Sequence, residues 1–155
     1  MNYSTRGSEV AGDHVSAHIT RAEYECHHCH KLPPDLYTFH ELYQELFDVF
    51  EHLRRRWQEF PPGGPIPVES GYRCKDHNVS VGGAPLSGHL FGLALDLSFP
   101  NKAAADVAQL IIERDRPDVR MGRYHGKPGL VHIDVCYLIR PRATENWVRG
   151  VRWIT

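Results

Sequence analysis

The side chains best able to do chemistry are a histidine and an aspartate within residues 70–97, SGYRCKDHNVSVGGAPLSGHLFGLALDL. His89 and Asp96 flank Gly92, and the alternating run Leu93 to Leu97 carries the aspartate. A turn at Gly92 would fold that run back beside His89 and let both side chains meet one metal ion. A third ligand must come from elsewhere. Leu130 to Cys136, LVHIDVC, alternates with period two, so on a strand His132, Asp134 and Cys136 share one face and Val131, Ile133 and Val135 the other. His89, Asp96 and His132 form a candidate zinc site with two nitrogens, one carboxylate and a fourth position left to water. That is the donor set of catalytic rather than structural zinc. Zinc so held acidifies its water and polarises a carbonyl.

These residues need a frame. After Leu32-Pro33-Pro34, Asp35 is expected to open a long helix with an apolar stripe of Leu36, Phe39, Tyr43, Leu46, Phe50, Leu53 and Trp57. Arg54 to Arg56 fall on its solvated face. Pro61 to Pro65 end it, and Ile66 to Ser70 read as a strand delivering Gly71, Tyr72 and Arg73 towards the site. His77 and Asn78 sit in a short helical turn, and Gly82 to Pro85 form the loop that brings Ser87 and His89 round. Asn101 caps a helix over 103–114, with Ala104, Val107, Leu110 and Ile111 inward, and Pro117 stops it. Val119 to Tyr124 and the His132 strand form an antiparallel pair turning at Lys127-Pro128-Gly129. Trp147 to Ile154 reads as an edge strand. Strands gathered after a long helix predict an α+β domain, a mainly antiparallel sheet with helices packed on one face. Residues 1–17 are expected to be a flexible arm and 18–155 a single domain.

Four cysteines do not make a disulfide framework in a chain of 155 residues. Cys26 and Cys29 form a C-x2-C crowded by His27, His28 and His30, but no second C-x2-C or H-x3-H follows. A closed structural site needs four ligands, so a second zinc at Cys26 and Cys29 is not expected. A net charge of −1 gives no electrostatic basis for a nucleic-acid or anionic-membrane partner. Apolar runs are too short to span a bilayer, and the polar start MNYSTRGSEV does not read as a signal peptide. The protein is expected to be made in the cytoplasm and to act after release or delivery by another route.

The strings SGYR, HN at 77 and 78, VGGAPLSGH, GLALD and the later LVHID resemble the M15 family of zinc peptidases, in particular its D-alanyl-D-alanine carboxypeptidase branch. That family is marked by S-x-H-x(6)-D and a later strand histidine, here Ser87, His89, Asp96 and His132, and the likeness runs from about Ile19 to Trp153. The resemblance implies the fold shared by hedgehog domains and DD-peptidases, one catalytic zinc on His89, Asp96 and His132, and peptidoglycan stem peptides as substrate. It also implies that Arg73 meets the substrate carboxylate or scissile carbonyl, with Ser87 and Asn78 as further substrate-binding candidates. A guanidinium suits that role because it pairs bidentately and keeps its charge. Several members carry a glutamate base three residues before the last histidine, where this chain has Gly129. The base is then Asp134, which could equally orient a ligand imidazole, or His125 in the preceding loop.

The expected function is zinc-dependent cleavage of D-amino-acid-containing bonds in bacterial cell-wall peptide, as a carboxypeptidase or an endopeptidase. The alternative is a non-catalytic zinc-binding domain of the same fold, as in the amino-terminal domains of hedgehog proteins.

Overall fold

The computed structural model describes residues 13–139 and 148–155. In chain order the elements are β1 (His14–Ser16), β2 (Ile19–Thr20), α1 (Arg21–Tyr24), α2 (His40–Trp57), β3 (Val68–Ser70), α3 (Lys75–Ser80), β4 (Ala94–Ser98), α4 (Lys102–Asp115), β5 (Arg120–Tyr124), β6 (Lys127–Asp134) and β7 (Arg152–Ile154). Two 3-10 turns, Gly88–Phe91 and Cys136–Leu138, flank the central strands. β1 and β2 form a small antiparallel ladder, and the main sheet runs β3-β4-β6-β5-β7. Its pairs are antiparallel except β5 with β7. This is the α+β architecture that the sequence predicts.

The long helix α2 buries Tyr43, Leu46, Phe47, Val49, Phe50, Leu53 and Trp57. It begins at His40, later than the stripe predicts. The Asp35 carbonyl accepts from the amides of Thr38 and Phe39, closing a separate turn, and Phe39 leaves the helical region at φ −118 and ψ 46. Leu36 is buried from that turn, but Phe39 is exposed. Arg56 is not merely solvated, because its Nε lies 2.8 Å from Asp115 on α4. α4 is capped as predicted, with the Asn101 side chain accepting from the Ala104 amide at 2.9 Å. Its inward face is Ala105, Ala108, Ile111 and Ile112, and Leu110 is exposed. The small alanines let α4 lie close against β6, while Val107 packs half-buried at the edge of the core and Leu110 is exposed.

Leu95, Leu97, Val131, Ile133 and Met121 join α2 and α4 in one apolar core. Three boundaries differ from expectation. Residues 127–129 belong to β6, and the hairpin turns at His125 and Gly126, since Tyr124 pairs with Lys127. β7 is an edge strand but begins at Arg152, while Trp147 lies outside the described residues. Of the predicted arm, residues 1–12 lie outside the described residues. Ser16 is tied down by its hydroxyl, 2.6 Å from Glu51, and neighbouring Val15 is buried.

Candidate metal centre

Strand register assembles the site. Ser70 pairs with Asp96, Asp96 with His132, His132 with Gly122, and Gly122 with Trp153. One row of partners thus crosses β3, β4, β6, β5 and β7, and residues in such a row stand on the same face. The neighbouring row holds Ala94, Asp134 and Arg120. Gly122 is needed because a Cβ there would lie 2.4 Å from the Trp153 ring. Its absence lets that indole lie beside His132, with ring centroids 5.0 Å apart.

His89 arrives from the turn after Ser87. The Ser87 hydroxyl accepts from the His89 amide at 3.2 Å, and Gly92, at φ 72, closes the turn into β4. His89 Nδ1 lies 2.6 Å from the Gly71 carbonyl. A carbonyl only accepts, so Nδ1 carries the proton and Nε2 presents a lone pair. Nε2 is buried 3.2 Å from Asp96 Oδ2, inside ion-pair distance, yet it has no hydrogen-bond partner among the described residues. Burial pushes the His89 pKa down, keeping the ring neutral. A lone pair facing a carboxylate oxygen is an arrangement that a cation between them relieves.

His132 completes the set, with Nδ1 3.1 Å from Asp96 Oδ1 and Nε2 2.8 Å from Asp134 Oδ2. Burial alone would lower its pKa, but hydrogen bonds to Asp134 and Asp96 raise it to about 9. Burial alone would likewise raise the Asp96 carboxyl, but His89 and His132 hold it well below the usual carboxylate range. The ligand atoms of His89, Asp96 and His132 lie within 4.8 Å of one another. With Nε2–H donated to Asp134, His132 offers Nδ1 beside Asp96, and His89 offers Nε2 opposite. Two imidazole nitrogens and one carboxylate so grouped could hold zinc.

The other predicted residues separate into those that reach the cleft and those that support it. Arg73 reaches it: its Nη2 is 3.2 Å from Asp96 Oδ2, its Nε donates to the Ser70 hydroxyl and its Nη1 to Asn78 Oδ1, each also at 3.2 Å. Ser87 lines the cleft as well as capping the His89 turn. Asn78 does not line it, because its side chain is buried between Arg73 and the Ala84 carbonyl. Asp134 is almost wholly buried, with Oδ1 taken by Arg120 Nε at 2.8 Å and the Cys136 amide at 3.1 Å, and Oδ2 by His132. That geometry orients an imidazole and leaves little room to accept a proton from substrate or water. His125 sits exposed at the tip of the β5–β6 hairpin and does not line the cleft, although its neighbours Tyr124 and Gly126 do. Cys136 lies past the strand end, buried in a 3-10 turn, with its Sγ beside Gly88 and Asp134.

The cleft encloses about 1320 Å³, room for a peptide segment. Its walls include Glu69, Arg120, Tyr124 and Trp153, none of them singled out from sequence. Arg120 and Trp153 reach the site only through register, and their sequence context carries no motif. Glu69 was within reach, being the polar alternate of a strand already predicted to end at the site.

The sequence profile of the Peptidase M15 family matches residues 16–134, which span all three candidate ligands and Asp134. The chain belongs to the peptidase M15 family. No curated protein matches the chain. M15 peptidases are zinc-dependent, consistent with the donor set found here. In this M15 chain the position three before His132, the last candidate ligand, is Gly129, where a Cβ would lie 2.4 Å from the Phe99 carbonyl oxygen. Leu130, His132 and Asp134 line the cleft, so strand alternation points position 129 to the other side. A longer side chain at 129 has neither the space nor the direction to serve the centre. Among the described residues no helix is long and apolar enough to cross a membrane.

Proposed function

We propose that this M15 chain is a zinc metallopeptidase that cleaves D-amino-acid-containing bonds in the stem peptides of bacterial peptidoglycan. The observation that carries the reading is the neutral, buried His89 with its Nε2 unpartnered opposite Asp96 and beside His132, at the floor of a peptide-sized cleft. Zinc held by His89, Asp96 and His132 supplies Lewis acidity and an acidified water. Asp134 fixes the His132 tautomer that leaves Nδ1 for the metal, and Arg120 holds Asp134 in turn. Arg73, already anchored through Ser70 and Asn78, is poised to pair with a substrate carboxylate or offset charge developing on the scissile carbonyl. Apart from Asp96 and Asp134, Glu69 is the carboxylate lining the cleft among the described residues, which makes it our choice of proton acceptor in place of Asp134 or His125. Glu69→Gln should lower turnover at least tenfold with zinc content unchanged; full turnover would remove it from that role.

The decisive test is mass analysis of pentapeptide-bearing and cross-linked muropeptides incubated with the zinc-loaded protein, with a chelated sample and His132→Ala as controls. Loss of one terminal D-alanine identifies a carboxypeptidase. Cutting only the cross-linked species identifies an endopeptidase. The absence of a glutamate at position 129 favours one other reading, a zinc-binding module without catalysis. Stoichiometric zinc with no zinc-dependent product would establish that reading instead.

A further inference from the structure

A second constellation lies beside the cleft and does not take part in the proposed chemistry. The sulfurs of Cys26, Cys29 and Cys74 lie within 4.8 Å of one another. Cys74 comes from the loop after β3 and is the N-cap of α3, where its sulfur accepts from the His77 amide at 3.4 Å. The expectation against a second zinc rested on finding no further ligand pair. The folded chain supplies one, Cys74-x2-His77, opposite Cys26-x2-Cys29. His77 Nδ1 lies 3.4 Å from Cys26 Sγ.

We propose that Cys26, Cys29, Cys74 and His77 form a second, structural zinc site that clamps the 26–31 loop to α3. Three sulfurs and one imidazole make a closed four-ligand set, and soft thiolate donors favour zinc. The surroundings suit thiolates. Cys26 Sγ accepts from the amides of His28 at 3.4 Å and Cys74 at 3.3 Å, and such donors stabilise a charged sulfur. His30, immediately after Cys29, adopts φ 59, unusual for a residue with a side chain. That conformation turns the chain so that the Cys26 amide reaches the Lys31 carbonyl at 3.0 Å and the C-x2-C loop closes on itself. His28 Nδ1 lies 3.6 Å from Cys74 Sγ, but His28 is exposed, whereas His77 is half-buried and fixed on α3. Zinc entry displaces the thiol protons to solvent, with no change of oxidation state.

Cobalt substitution of the full chain provides the test, because thiolate-to-cobalt charge-transfer absorption can arise only from this site. The centre on His89, Asp96 and His132 holds no sulfur, so the result is independent of whether the peptidase reading stands. Wild-type protein should bind two equivalents of zinc, one of which a mercurial thiol reagent releases, and the cobalt form should show the thiolate band. His132→Ala should keep the band and lose one equivalent. Cys74→Ser should lose the band and keep one equivalent. His77→Ala should weaken the thiolate-bound metal at least tenfold while His28→Ala leaves it unchanged; the reverse would overturn the assignment of His77. A single equivalent in wild type with no thiolate band, and cysteines reacting equally with and without zinc, would overturn the site. That comparison needs no variant.

Discussion

The two ligand clusters are built by opposite means. His89, Asp96 and His132 are buried, and two of the three are directly paired residues on adjacent central strands, so the sheet holds them in place without metal. Cys26, Cys29, Cys74 and His77 come from a loop and a short helix, and only Cys26 among them is buried. The first cluster is a preorganised floor that a metal would complete. In the second, metal would itself be part of the scaffold. Arg73 joins them: it reaches Asp96 on one side, while the next residue is Cys74 on the other.

The largest effect expected on this contrast is at the sheet. Arg73→Lys should lower kcat/KM about 10²-fold, because a point charge does not replace a fork fixed on Ser70, Asn78 and Asp96. Zinc content should be unchanged, as measured by metal analysis alongside hydrolysis of a muropeptide substrate. A metal loss of one equivalent would instead make Arg73 part of the metal frame.

Cys74→Ser should act on the scaffold first. Removing the clamp is expected to lower the melting temperature by about 5 °C, the shift that roughly 2 kcal/mol produces in a chain of this size. It should also raise KM more than it lowers kcat, since α3 carries Asn78 and Asn78 holds Arg73. Equal melting curves for both proteins, with and without zinc, would separate the clamp from stability.

Asp134→Asn probes the sheet more finely. If Asp134 orients His132, zinc affinity falls about 10- to 100-fold and turnover returns at saturating zinc. Turnover that stays lost when the metal is saturated would restore Asp134 as the base.

The smallest effect is a pH dependence of the metal-free protein. His132 is raised from 6.5 to about 9, so its contribution to stability is complete below pH 6.5 and is lost as pH rises through about 9. Cys26 acts in the opposite sense. Burial raises its pKa, but backbone amides and His77 outweigh that and lower it to about 6, so its contribution grows as pH rises towards 9. The difference in denaturation midpoint between wild type and His132→Gln, both metal-free, removes the thiol contribution. That difference should shrink from pH 6.5 to 9, and a flat difference would deny the imidazolium bridge between Asp96 and Asp134.

Much of this was legible in the chain because local patterns determine it. Period-two alternation placed His132 and Asp134 on one strand face, the position of Gly92 allowed the turn that returns Asp96 to His89, and Asn101 marked the start of α4. Phe39 and Leu110 misled because a 3.6-residue stripe cannot tell where an extra turn interrupts a helix, or how far small residues such as Ala105 and Ala108 rotate the buried face. Cys74 and His77 escape spacing rules, which search along the chain, because the partners they contact lie 48 and 51 residues earlier.

The sequence by itself determined the candidate donor types, the strand that carries His132 and Asp134, and the family. Only the tertiary structure decided what surrounds them. Register across the five strands brings Arg120 to Asp134 and Trp153 over His132, and gives position 129 no path to the centre. The physical reason is that alternation along one strand fixes a face, whereas the residue standing opposite depends on how separate strands pair, which no local stretch of sequence encodes.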